Sequence, residues 1–70
     1  MPKLYSSIYI VNVLYKFGFL QVSQKGSHAK FRNSQFPVRT VIVPMDKKEI
    51  PIGTFRSILK QSGLKKEDFV

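Results

Sequence analysis

Gln24-Lys25-Gly26-Ser27-His28-Ala29-Lys30-Phe31-Arg32 is the stretch on which the fold of this chain turns. Gly26-Ser27 is a two-residue break between two extended segments, the mark of a tight hairpin. Side chains alternate across a strand, so His28, Lys30 and Arg32 share one face while Ala29 and Phe31 share the other. The second face is apolar and needs a cover. The first presents one imidazole between cations, with Lys25 just across the turn. The stretch therefore predicts a sheet with one covered face and one charged face.

Working outward, Phe19 to Lys25 reads as the first strand and His28 to Arg32 as its antiparallel partner. Asn33 to Phe36 forms a second connection. Val38 to Val43 reads as a third strand between Pro37 and Pro44, and its nearly continuous apolar character implies that it is well covered. A loop runs on through Asp46 to Pro51. Upstream, Ser6 and Ser7 can cap a helix whose apolar positions Ile10, Val11, Leu14 and Phe17 recur at helical spacing, with Gly18 ending it. The β-branched residues Ile8, Ile10, Val11 and Val13 oppose that helix locally. Downstream, Gly53 or Thr54 opens a second helix with Phe55, Ile58 and Leu59 on one face. Gly63 closes it, Leu64 packs back on its last turn, and Lys65 to Val70 can add one further turn. The expected fold is α+β: a single domain over residues 1–70, in two layers, ordered helix, three-stranded antiparallel sheet, helix.

A chain of 70 residues leaves no room for a second domain, a deep substrate cavity or a nucleotide-cofactor fold. It contains no cysteine, which rules out disulfides and a thiolate zinc site and agrees with a cytoplasmic setting. Lys and Arg number 12 against 4 Asp and Glu, for a net charge of +8. Residues 1–45 carry six of those cations and no acid. A field of one sign on so small a body attracts polyanions, nucleic acid first among them. The apolar run Ile8 to Leu14 is shorter than the roughly 20 residues a bilayer demands, so it is expected in the core, with no membrane role.

His28 is the only histidine. Imidazole exchanges a proton near neutral pH, so it can serve as base and then as acid. RNA carries its own nucleophile, the ribose 2′-hydroxyl, which attacks the adjacent phosphorus once deprotonated. Lys25, Lys30 and Arg32 could hold phosphates and stabilise the charge that builds on phosphoryl oxygens, while Gly26 and Ser27 shape the turn. This route needs no metal and no cofactor. A serine-nucleophile site would need an orienting carboxylate, and none lies near His28 in sequence. Asp46 and Glu49 are the only loop pair of acids, too few for a carboxylate-held cation. By themselves these residues also fit a turn histidine on a solvated cationic face, a non-catalytic basic RNA-binding module, or a domain that docks an acidic protein.

Two blocks separate these readings. Gln24-Lys25-Gly26-Ser27-His28 resembles the strand–turn–histidine signature of HicA-family toxins, and Gly53 to Leu64 is similar to the second-helix segment of that family. Gly18-Phe19 and Val41 to Pro44 fall at matching spacing. The resemblance implies a fold like the double-stranded RNA-binding domain. It implies an mRNA interferase, the toxin of a type II toxin–antitoxin pair, with His28 at the position of the catalytic histidine. It implies a HicB-type antitoxin that masks this histidine, and a toxin that is monomeric when free. The chain departs from the family pattern after the third strand. Met45-Asp46 stand where many members carry a further histidine or asparagine. The first helix is also unusually rich in Ile, Val and Tyr, so Tyr5 and Tyr9 are expected on an outer face that meets a partner.

Overall fold

In the computed structural model, which describes residues 3–35 and 37–70, α1 (Ser7–Lys16) precedes β1 (Leu20–Lys25), β2 (His28–Asn33) and β3 (Arg39–Pro44). Then follow α2 (Ile52–Ser62) and a short 3-10 turn, Lys66–Phe69. The sheet is an antiparallel meander in the order β1-β2-β3. This is the α+β arrangement expected from the alternation in β2. Phe36, in the connection read from Asn33 to Phe36, lies outside the described residues.

α1 forms where its β-branched residues would favour a strand, and two observations explain why. The Ser6 hydroxyl accepts from the Tyr9 N–H at 3.1 Å, satisfying a donor that the first turn would otherwise leave free. Burial of Ile10, Val11, Val13 and Leu14 then outweighs propensity. Phe17 departs from expectation. It is the C-cap residue and is 38 % exposed, so Val13 completes the buried stripe instead. Where the helix ends, Phe17 offers its carbonyl to the Asn33 side-chain amide at 3.1 Å.

α2 begins at Ile52, a little before the expected start, because Pro51 supplies the N-cap position with its restricted φ. It ends at Gly63, which is left-handed at φ +74 and donates its N–H to the Leu59 carbonyl at 2.9 Å. The left-handed backbone favours glycine there, and a Cβ would also lie 2.7 Å from the Arg39 guanidinium, the movable end of an exposed side chain.

The core is one cluster. Ala29 and Phe31 of β2 and Val41 and Val43 of β3 are fully buried beneath Ile10, Leu14 and Ile58. The inward and outward assignment in β2 is as the alternation requires. The 3-10 turn seals the open end with Phe69, which packs edge-on against Phe55 and near Tyr5. Tyr5 is therefore not on an outward face, whereas Tyr9 is 39 % exposed. Tyr5 is buried and stacks on Tyr9 with ring centroids 4.9 Å apart, and the Tyr9 hydroxyl donates to the Phe69 carbonyl. These aromatics hold the C-terminal turn in place. Among the described residues no helix is long and apolar enough to cross a membrane.

The two edges of the sheet differ. α2 lies along β3, and the Gln61 side-chain oxygen accepts from the Ile42 N–H, which points away from β2, at 3.0 Å. Pro44 stands in the same phase two residues on and has no N–H to expose. β1 is exposed along its whole length, and a bulge between Gln21 and Ser23 leaves Val22 unpaired.

Candidate active site

The β1–β2 hairpin turns on two residues, with Lys25 directly opposite His28. Gly26 takes φ +58 while Ser27 keeps a negative φ, the requirement of a hairpin turn whose first central residue is left-handed. Directly paired residues share a face. Lys25, His28 and Pro44 therefore form one row across the outer face, Ser23, Lys30 and Ile42 the next, and Leu20, Arg32 and Thr40 a third. The bulge at Val22 puts Leu20 in that outer set beside Ser23 and Lys25.

His28 is exposed, and it stands at one wall of a cleft of about 460 Å³. Ser27 comes from the hairpin, Ile42 and Pro44 from β3, Lys47 from the loop after β3, and Pro51 and Thr54 from the start of α2. Its lining is part apolar, from Ile42, Pro44 and Pro51, and part polar, from Ser27, His28, Lys47 and Thr54. The first turn of α2 carries no acidic residue and no side-chain cap, so its free amides leave the α2 end of the cleft electropositive.

The loop that brings Lys47 here is pinned. Ser7 is 1 % exposed, and its hydroxyl donates to the Pro44 carbonyl at 2.6 Å and accepts from the Lys47 N–H at 3.1 Å. The Ser7 N–H donates to the Lys47 carbonyl at 2.9 Å. Met45 donates its N–H to the Ser27 carbonyl at 2.6 Å, fastening the loop to the hairpin as well. Asp46 makes the intervening turn at φ +62, a conformation Asp tolerates better than most residues.

Of the cations picked out in the sequence, Lys25 lies across the hairpin from His28, and Lys30 and Arg32 follow along β2 on the same face. None of the three lines the cleft. At the strand rise, Arg32 stands about 13 Å along β2 from His28, too far to reach a phosphate held at the imidazole. Together with Lys30, which is half-buried, it forms a cationic track leading away from the cleft. Gly26 and Ser27 occupy the turn, with Ser27 at the cleft. Lys47 and Thr54 were not foreseen. No periodicity marks a loop lysine, and the contact between the start of α2 and the end of β3 is not local in sequence. Among the described residues, no group of three or more His, Asp or Glu side chains gathers where it could hold a metal ion.

The protein is thus one of a class of compact, strongly basic α+β domains with an exposed imidazole beside a cleft. Residues 10–64 match the family model described as the HicA toxin of bacterial toxin–antitoxin systems. The matched span takes in α1 from Ile10 onward, the whole sheet, His28 and α2, and the chain belongs to this family. It is a toxin whose partner is an antitoxin. No curated protein matches the chain as a close relative.

Proposed function

We propose that this toxin is an mRNA interferase, a metal-independent endoribonuclease in which His28 is the general base. The imidazole takes the proton of a ribose 2′-hydroxyl. The 2′-oxygen attacks the adjacent phosphorus and the bond to the 5′-oxygen breaks. That oxygen leaves with a proton from the imidazolium or from water. The products are a 2′,3′-cyclic phosphate, or the 3′-phosphate that follows from its hydrolysis, and a 5′-hydroxyl. Lys25, Lys30 and Arg32 hold flanking phosphates, and Gly26 and Ser27 shape the turn that presents His28.

The observation that supports this reading is the placement of the one histidine: open to solvent, at the wall of a cleft, on the charged face of the sheet. In the cell, the reading places residues 1–70 as a single cytoplasmic domain, monomeric when free. A HicB-type antitoxin would silence it by covering His28. Incubation with RNA in excess EDTA tests the chemistry. Cleavage by the wild type is expected to fall about 100-fold to 10,000-fold in His28→Ala. Equal cleavage by the two overturns the assignment. The track of Lys30 and Arg32 beyond the cleft also supports a second reading, a basic RNA-binding module without catalysis. Steeply salt-dependent binding with no cleavage by antitoxin-free protein would establish that reading instead.

A further inference from the structure

We infer that Lys47 is the cation that meets the scissile phosphate, and that Ser7 is the residue that positions it. The inference rests on the proposed ribonuclease chemistry and adds a second group to it.

The cleft gives His28 and a substrate atom a shared concave surface, and Lys47 is the one lysine or arginine on its walls. As the 2′-oxygen attacks, negative charge accumulates on the two non-bridging oxygens of the phosphate. A cation is worth most when it is held where that charge develops. A lysine on an untethered loop would lose much of this benefit to the entropy of ordering it. Here the fold orders the backbone of the loop that carries it. The Ser7 hydroxyl uses its donor on Pro44, which pairs with His28 in the sheet, and its acceptor on the backbone of Lys47. The Ser7 N–H holds the Lys47 carbonyl. One buried side chain thus ties the backbone of the lysine to the strand end that carries the neighbour of the imidazole. The hydroxyl is fully engaged with this loop and performs no capping of α1, which falls to Ser6.

Lys25, the other lysine near the imidazole, stands on the uncovered edge strand and does not line the cleft. It suits a phosphate outside the reacting one. Lys47 acts on the reacting phosphate, and Ser7 acts only through Lys47.

The test uses the intact toxin, freed of antitoxin, and a synthetic single-stranded RNA of mixed sequence whose cut sites have been mapped. Lys47→Met is expected to lower kcat about 100-fold or more with KM nearly unchanged, and Lys47→Arg to recover part of the loss. One of the two phosphorothioate stereoisomers at the cut site is expected to slow the wild type, and to slow Lys47→Met much less. Ser7→Ala is expected to lower kcat more than KM while the far-UV circular dichroism is kept. Wild-type kcat in Lys47→Met, or an undiminished phosphorothioate effect in it, overturns the inference even where His28→Ala is inactive. Should Ser7→Ala fail to fold, the Lys47 pair and the phosphorothioates decide alone. A wild type that cuts no RNA overturns the ribonuclease reading itself.

Discussion

β1 and β3 are both edge strands of one three-stranded sheet, yet they meet their surroundings in opposite ways. β3 buries Val41 and Val43 completely, gives the Ile42 amide to Gln61, ends on a proline, and lies alongside α2. β1 has no buried residue on either face. Gln21 and Gln24, in rows with the buried Phe31 and Ala29, are exposed and hydrogen-bond to each other at 3.1 Å. The helices cover β2 and β3 and stop short of β1. The cleft lies on the β3 side, where the loop after the strand is pinned by Ser7, and Lys25 lies on the β1 side. Under the proposed chemistry, rigid placement serves the side where bonds would change, and a looser edge serves where charge alone would be matched.

Deleting methyl groups on either side should expose this contrast most strongly. Val41→Ala is expected to cost about 2–3 kcal/mol, from lost burial and the cavity left behind. Val22→Ala on β1 is expected to change stability by no more than about 0.5 kcal/mol. Urea unfolding of the two variants measures the difference, and similar midpoints would erase the distinction between the edges. A smaller loss is expected for Gly63→Ala at the end of α2, about 1–2 kcal/mol, since alanine must take a left-handed backbone and displace Arg39. Thermal melting checks this, at about 4–8 °C for each kcal/mol in a domain of this size. A smaller loss again is expected for Gln61→Ala, about 1 kcal/mol or less, because the Ile42 amide it releases can reach water. Its reporter is hydrogen exchange, which should quicken at Ile42 in this variant but remain slower there than along β1.

Much of the covered side could be read from the residues in order. Alternation in His28 to Arg32 gave the two faces of the central strand, Ser6 marked the start of α1, and Gly63 marked the end of α2. Each of these signals is local, resting on the geometry of one turn or one strand. The bulge at Val22 is a single extra residue with no period of its own, so it left no trace in the pattern. Phe17 sits at helical spacing, yet the helix stops just before it, and spacing alone does not show that. The cleft was legible only at His28 and Ser27. Its other walls come from segments that meet across the fold, and the Ser7 hydroxyl that pins Lys47 crosses 40 positions of chain. Such a contact carries no neighbouring signal, since a serine at a helix start already has an ordinary explanation.

The Val22 bulge also bears on how the molecule keeps to itself. A flat edge strand with free amides and carbonyls invites a copy of itself to add on, and repetition of that step grows a fibre. An extra residue in mid-strand bends and twists the rim, so a straight ladder cannot continue past it. Leu20 and Val22, both largely open to water, would otherwise make this rim the stickiest part of the surface. One unpaired residue thus removes the straight ladder on which a second copy could add.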